Sequence, residues 1–224
     1  MAEPGVLVID VGGNNVKLYH DASGATVRFP SGRDLTPEKL VAGVAEATSG
    51  WRFDRVTVGC PGPVKDDRLV VEPHNLGPGW TAFELAKAFH VPAQLVNDAV
   101  MQAIGSYEGG KMLFLGLGTG LGAALVAEGA AIPLEVAHLP YRKNRTFEDC
   151  VGQRGYARMK RKRWEDAVHD VAARLKAAFV ADYVVLGGGN AKRLKTLPPD
   201  CRLGSNANAF KGGVRLWTDA VRIF

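Results

Sequence analysis

The stretch VLVIDVGGNNVKLY, residues 6–19, decides the fold. It reads as an apolar strand, a bend of two glycines and two asparagines, and a second strand. Such a pattern predicts a β-hairpin, and Gly-Gly or Gly-Asn alone would make its turn. Asp10 needs a further reason: it ends an apolar run, where a carboxylate is costly unless a cation or hydrogen-bond donors meet it.

The same design returns at KMLFLGLGTGLGAALVAEG (111–129), which suggests two similar units of roughly 100 residues. Between the two hairpins a helix is expected from Thr36 to Thr48. Thr36 can cap it, Pro37 suits its first turn, and Leu40, Val41, Val44 and Ala47 share a face. RVTVGCPGPV (55–64) reads as a buried strand entering a turn. A helix over Thr81–Phe89, a strand in AQLVND (93–98) and a helix over Ala99–Tyr107 follow. Beyond the second hairpin come an irregular stretch (130–147), a basic helical segment and an amphipathic helix from Trp164 to Val180. DYVVLGGGNAKRLK (182–195) is again strand, glycine turn and helix; LPPD (197–200) breaks the chain, and a closing helix fills FKGGVRLWTDAVRIF (210–224). Alternating strands and helices, with a hairpin opening each half, predict an α/β protein with a mixed sheet in each of two lobes and a narrow cleft between them.

A hydrophobic fraction of 46% with 23% charged residues excludes disordered and fibrous classes. No run approaches the roughly 20 apolar residues of a membrane span. The opening MAEPGVLVID lacks the basic region of a secretory signal. Cys60, Cys150 and Cys201 are an odd number without CxxC spacing, which favours a reducing compartment and disfavours a disulfide framework or a cysteine-based zinc site. A soluble cytoplasmic protein is expected. The net charge of +5 suits an anionic ligand without requiring one.

Three glycine turns, DVGGNN, GLGTGLG and LGGGN, each follow an apolar strand. Glycine pairs let backbone N–H groups converge on an anion without Cβ interference, and the third turn is expected at a helix start, where the dipole also favours anions. A lone glycine turn is usually a plain hairpin; three fit a phosphate chain gripped at several points. None matches GxxxxGK[ST], and GLGTGLG precedes a strand where a dinucleotide fold needs a helix. A carboxylate beside the first turn would hold Mg²⁺, directly or through water, as phosphoryl transfer needs. Asp10 then has its reason.

The order DVGGNNVK, GCPGPV, NLGPGW, VNDA, GLGTGLG, EVAH, LGGG resembles the ROK family of sugar kinases and sugar-sensing repressors, within the actin–hexokinase–chaperone superfamily. It most resembles the compact, zinc-free members that use polyphosphate as well as nucleotide. The resemblance spans essentially the whole chain. It implies a two-lobed ribonuclease H-like (actin-like ATPase) fold, with residues 1–98 plus 211–224 as the small lobe and 99–210 as the large one. It also implies transfer of a phosphoryl group from ATP or polyphosphate to the 6-hydroxyl of glucose or a similar hexose, with Mg²⁺ and no zinc.

In that pattern Asp98 is the general base, although an acid placed there could also cap a helix. Asn97 would hydrogen-bond ring hydroxyls, with Glu135, His138 and Glu148 completing the sugar site; Asp149 competes with Glu148. Gly12, Gly13, Asn14, Asn15, Gly118, Thr119, Gly120, Gly187, Gly188 and Gly189 would hold the donor with Asp10, and Lys17 faces either phosphate or solvent. The chain departs from the pattern at Asn14, where relatives carry Thr or Ser, and at Ala137 in place of Gly. The CxCGxxGC zinc loop that follows the His in many relatives is missing.

YRKNR (141–145) and RGYARMKRKRW (154–164) concentrate nine of the 28 Lys and Arg within 24 positions. Arg154, Arg158 and Arg161 would share one face of a helix, flanked by Lys160, Lys162 and Arg163. That row is compatible with polyphosphate and equally with a solvated surface. No recognised module suggests nucleic acid, a repressor's DNA-binding helices are not expected ahead of the first strand, and no membrane partner is expected. A weakly active sugar-binding module is the alternative that Asn14 and Ala137 favour. Family resemblance implies a homodimer.

Overall fold

Residues 6–19 form the hairpin they predict. In the computed structural model, which describes residues 5–205 and 207–224, β1 (Gly5–Val11) and β2 (Asn15–His20) pair antiparallel with Asp10 opposite Lys17. The first four residues, part of the stretch read as lacking a signal, lie outside the described residues. By internal contacts the chain divides into two units, Met1–Met101 with Ala209–Ala220, and Gln102–Asn208 with Val221–Phe224.

In the first unit β3 (Thr26–Pro30) extends the hairpin, then α1 (Pro37–Ala47) leads to β4 (Phe53–Cys60). Thr36 caps α1 through its side chain, with Pro37 in the first turn as the sequence requires, and Leu40 and Val44 are buried. A small hairpin, β5 (Val64–Lys65) and β6 (Arg68–Leu69), precedes β7 (Ala93–Asn97). The sheet order is β3-β2-β1-β4-β7. β1, β4 and β7 run parallel, so their carboxyl ends lie on one edge. α2 (Asp98–Ser106) leaves from the end of β7.

The second unit repeats this plan. β8 (Met112–Leu117), β9 (Leu121–Ala127) and β10 (Ala130–Pro133) form an antiparallel meander. A hairpin of β11 (Pro140–Arg142) and β12 (Arg145–Thr146) then leads through α3 (Phe147–Val151) and α4 (Gln153–Arg158) into α5 (Arg161–Ala178). β13 (Tyr183–Gly187) and β14 (Cys201–Leu203) add in parallel beside β8. Thus β10-β9-β8-β13-β14 has the order and directions of β3-β2-β1-β4-β7. The internal repeat is real at the level of topology.

α6 (Asn208–Thr218) returns to the first unit, and β15 (Arg222–Ile223) pairs with β10. Residues 221–224, expected in the small lobe, therefore belong to the second unit. The closing helix is shorter than expected for the same reason: its last residues become a strand. The stretch 130–147, expected to be irregular, holds β10 and the β11–β12 hairpin.

Three other expectations fail for identifiable reasons. Thr81–Phe89 forms only a 3-10 turn at Leu85–Ala88. The carboxylate of Glu72 accepts from the backbone N–H groups of Gly79, Trp80 and Thr81 and from the Thr81 hydroxyl, which ties residues 79–81 into a loop. Residues 191–193 likewise make one 3-10 turn, so the third glycine turn meets no α-helix dipole. Finally, Met159 and Lys160 are extended and separate α4 from α5. This break seats Trp164 in the core, its indole N–H on the Val151 carbonyl at 3.0 Å and its ring edge-on to Tyr156.

Candidate active site

In the first unit the carboxyl ends of three parallel strands bring the expected groups together. Asp10 is level with Gly59 in the ladder, and Cys60 is level with Asn97. Asp98 follows at once, as the first residue of α2. Asn97 takes over the capping: its amide oxygen accepts from the N–H of Ala99 (3.0 Å) and Val100 (3.1 Å), and its NH₂ donates to the Gly62 carbonyl at 2.9 Å. Most of the hydrogen-bonding capacity expected to meet a sugar is therefore committed to the fold, and Asn97 positions its neighbour. One oxygen of Asp98 accepts from the Ala99 N–H at 2.9 Å.

The electrostatics of this edge are unusual. Burial, and after it the negative charge of Asp10, raises the Asp98 carboxyl from 3.8 to about 7. The buried Cys60 thiol is pushed up by burial and then by the charges of Asp98 and Asp10, which places it in the field of both carboxylates. Asp10 is itself buried and meets the ammonium of Lys17 across the β1–β2 ladder at 3.0 Å. That pair answers the question of where Lys17 points: toward Asp10.

The first glycine turn is narrow, with the Gly12 N–H bonded to the Asn15 carbonyl at 3.0 Å. Gly13 and Asn14 are exposed at its tip and Gly12 and Asn15 are partly so. Ser31, which the sequence reading passed over, braces the turn from outside. Its hydroxyl donates to the Gly12 carbonyl and its N–H to the Asn14 carbonyl. Asn75 was missed too: a Cβ on Gly13 would lie 3.6 Å from the Asn75 Cβ, so that side chain overlies the turn. Its signal lies in NLGPGW, one of the motifs that carry the family resemblance.

In the second unit two glycine turns converge at the carboxyl ends of β8 and β13. Gly116 and Gly187 are ladder partners. The buried Asn190 donates its side-chain N–H to the Gly118 carbonyl and its backbone N–H to the Leu117 carbonyl, both at 2.9 Å. Gly188 has φ +79°, and a Cβ there would lie 2.6 Å from the Leu117 backbone, so only glycine allows this approach. Thr119 and Gly189 are exposed on the same rim.

Glu148 faces the 118–120 turn. Its carboxylate accepts from the Leu121 N–H at 3.3 Å and pairs with Arg154 at 3.0 Å, and a Cβ on Gly120 would lie 2.3 Å from its Oε2. Asp149, the competing acid, forms a capping box with Thr146 and is held below the usual carboxylate range by those bonds. Glu135 and His138 are exposed on the turn before β11. That turn is tied to α3 through the Glu148 N–H on the Ala137 carbonyl at 3.0 Å. Among the described residues no group of three or more His, Cys, Asp and Glu gathers as a metal site.

The cationic row of Arg154, Arg158 and Arg161 does not form, because the helix breaks at Met159. Arg154 pairs with Glu148 and Asp149, Arg158 donates to the Asp149 carbonyl, and Arg161 pairs with Glu165. No helix among the described residues is long and apolar enough to cross a membrane.

Two mixed sheets of the same order, each with glycine turns at the ends of its parallel strands, define the actin-like ATPase fold. Residues 6–133 match the model of the ROK family, more than half of the chain, and the chain belongs to that family. A glucokinase of Pyrobaculum calidifontis (strain DSM 21063 / JCM 11548 / VA1) is 30% identical over 132 residues, 56% of this chain; the match spans 44% of that relative's length. Among solved structures, the inorganic polyphosphate/ATP-glucomannokinase of Arthrobacter sp. strain KM superposes with a TM-score of 0.78 at 20% identity, covering 95% of this chain and 97% of that one. A ROK family glucokinase from Streptomyces griseus in complex with glucose and AMPPNP gives 0.72 at 16% identity, over 95% and 98%. At such identities the likeness is one of fold.

Proposed function

We propose that the chain is a hexose kinase that transfers a phosphoryl group from ATP or polyphosphate to the 6-hydroxyl of glucose or a similar hexose. The observation that carries this reading is Asp98, a carboxylate at a strand end whose pKa of about 7 suits proton abstraction near neutrality and whose neighbour Asn97 has taken over the capping. Asp98 accepts the hydroxyl proton as the sugar oxygen attacks the terminal phosphorus. The curated glucokinase relative supports the sugar class.

Gly13 and Asn14 at the exposed tip of the first turn, with Thr119, Gly120, Gly188 and Gly189 on the second unit's rim, would offer backbone N–H groups to the donor's phosphates, while Gly12, Asn15, Gly118 and Gly187 shape those turns. Lys17 adds a cation beside Asp10. Asp10, near the carboxyl end of β1, is the carboxylate that would hold Mg²⁺, an ion that asks for only one or two protein carboxylates. When bound, the ion would neutralise charge on the transferring group. Glu148, Glu135 and His138 would receive sugar hydroxyls, with Asn97 holding Asp98 in register.

The test is a panel of hexoses crossed with ATP and polyphosphate, with sugar phosphate measured directly. Product with glucose or a close epimer is expected; no product anywhere in the grid would favour a binding module.

A further inference from the structure

His138 and Glu148, two of the three groups proposed to meet the sugar, lie ten residues apart, and the β11–β12 hairpin fills most of the interval. The hairpin is short, three residues against two, and closes on Lys143 and Asn144, both with positive φ. Isolated hairpins of that size are marginal in water, and Arg142, Lys143, Asn144 and Arg145 are exposed. Yet its base sets the spacing of the site: Phe147 donates to the Leu139 carbonyl at 3.1 Å and Glu148 to the Ala137 carbonyl at 3.0 Å.

A polar cluster ties the hairpin to α5. Oδ2 of Asp170 accepts from the Tyr141 hydroxyl at 2.6 Å, from Arg142 at 2.7 Å and from Arg174 at 2.9 Å. Both guanidinium groups also lie over the Tyr141 ring, whose other neighbour is Phe147, the first residue of α3. Burial would raise the Asp170 carboxyl, but the bonds from Tyr141, Arg174 and Arg142 prevail and hold it at about 2. α5 is a firm anchor, because Trp164, Ala167, Val168, Val171, Ala172 and Leu175 bury its other face.

We propose that Asp170 is a positioning residue for the sugar site, clamping the β11–β12 hairpin through Tyr141 and Arg142 so that His138 and Glu148 keep a fixed separation. The inference rests on the hexose-kinase reading and deepens it, since it assigns hexose affinity to a cluster that touches no substrate. The clamp stays ionised across the neutral range, so its effect on affinity is constant from pH 6 to 9.

The experiment compares wild type, Asp170→Ala and the milder Tyr141→Phe. Glucose affinity is read by calorimetry, the steady-state constants by product assay, and amide exchange over 138–148 by mass spectrometry. Expected in Asp170→Ala are a glucose Kd and KM raised at least tenfold, a kcat and donor KM within threefold of wild type, and faster exchange over 138–148. Tyr141→Phe should shift the same quantities in the same direction, and it carries the test if Asp170→Ala fails to fold. Unchanged glucose affinity, unchanged exchange in the hairpin, or an equal loss in kcat and both KM values would overturn the clamp. A wild-type chain that binds no hexose would instead overturn the kinase reading, and the sugar half of this inference with it; the exchange data would show that difference.

Discussion

At the residue scale, Asp98, the proposed base, also carries a stability penalty. A base with a pKa of about 7 must be ionised to act, so kcat/KM should rise with pH through an apparent pKa near 7. After burial, the charge of Asp10 is the second cause of that elevation, so Asp10→Asn should move the acidic limb of whatever rate remains to lower pH. Asp98→Asn should lower turnover by about 10²–10⁴-fold while leaving sugar affinity nearly intact. The same substitution should stabilise the protein. The folded carboxyl holds its proton to about 7 and the unfolded one only to about 3.8, so the folded state loses stability as pH rises through that window and stays penalised above it. Thermal unfolding of Asp98→Asn should show a gain on the order of 1–3 kcal/mol at pH 8 that vanishes below about pH 4. The candidate residues were legible because their types and order carry the resemblance; their roles were less so. Sequence could not divide labour between neighbours: Asn97, not Asp98, caps α2, and Asp149, not Glu148, closes the capping box. Lys17 was undecided until the β1–β2 register set it against Asp10.

At the element scale, glycines mark where backbone must come close to something else. Gly120→Ala would place a methyl group 2.3 Å from Glu148 Oε2 and so swing that side chain away. Sugar KM should rise by about tenfold or more with donor KM little changed, a loss near 1.4 kcal/mol. Gly188→Ala meets both positive φ and the Leu117 backbone, and should cost about 1–3 kcal/mol in denaturant unfolding. Elements with local signals were readable. The hairpins follow from apolar runs meeting glycine, and α1 from its Thr36 cap, its Pro37 and its apolar period. Elements that failed were governed by partners distant in sequence. Glu72 ties residues 79–81 into a loop where a helix was expected to begin, and Glu165 receives the Lys195 N–H just past the third glycine turn. The seating of Trp164 splits one basic helix into α4 and α5 and disperses its arginines among carboxylates and carbonyls. Helical spacing alone therefore could not choose between a polyanion track and a solvated surface.

At the scale of the whole molecule, the duplicated sheet order was visible in outline, because a strand–glycine–strand motif recurs about 100 residues on. The route of the chain's end was not. α6 rejoins the first unit by fitting Gly213 against Val8, with the Thr57 hydroxyl donating to the Gly213 carbonyl and Trp217 donating to Thr57, each at 2.8 Å. A Cβ on Gly213 would stand 2.4 Å from Val8 Cγ1. Gly213→Ala should therefore cost about 1–3 kcal/mol, a fall of roughly 2–12 °C in Tm, by calorimetry. The central claim is that this ROK chain moves a phosphoryl group to a hexose using Asp98 as base. Its most direct test is hexose phosphate formed by wild type and by Asp98→Asn at saturating donor and sugar, with glucose affinity measured on both. The account predicts product from wild type, at least a hundredfold less from the variant, and similar glucose affinity in the two; hexose phosphate made by Asp98→Asn at the wild-type rate would contradict it.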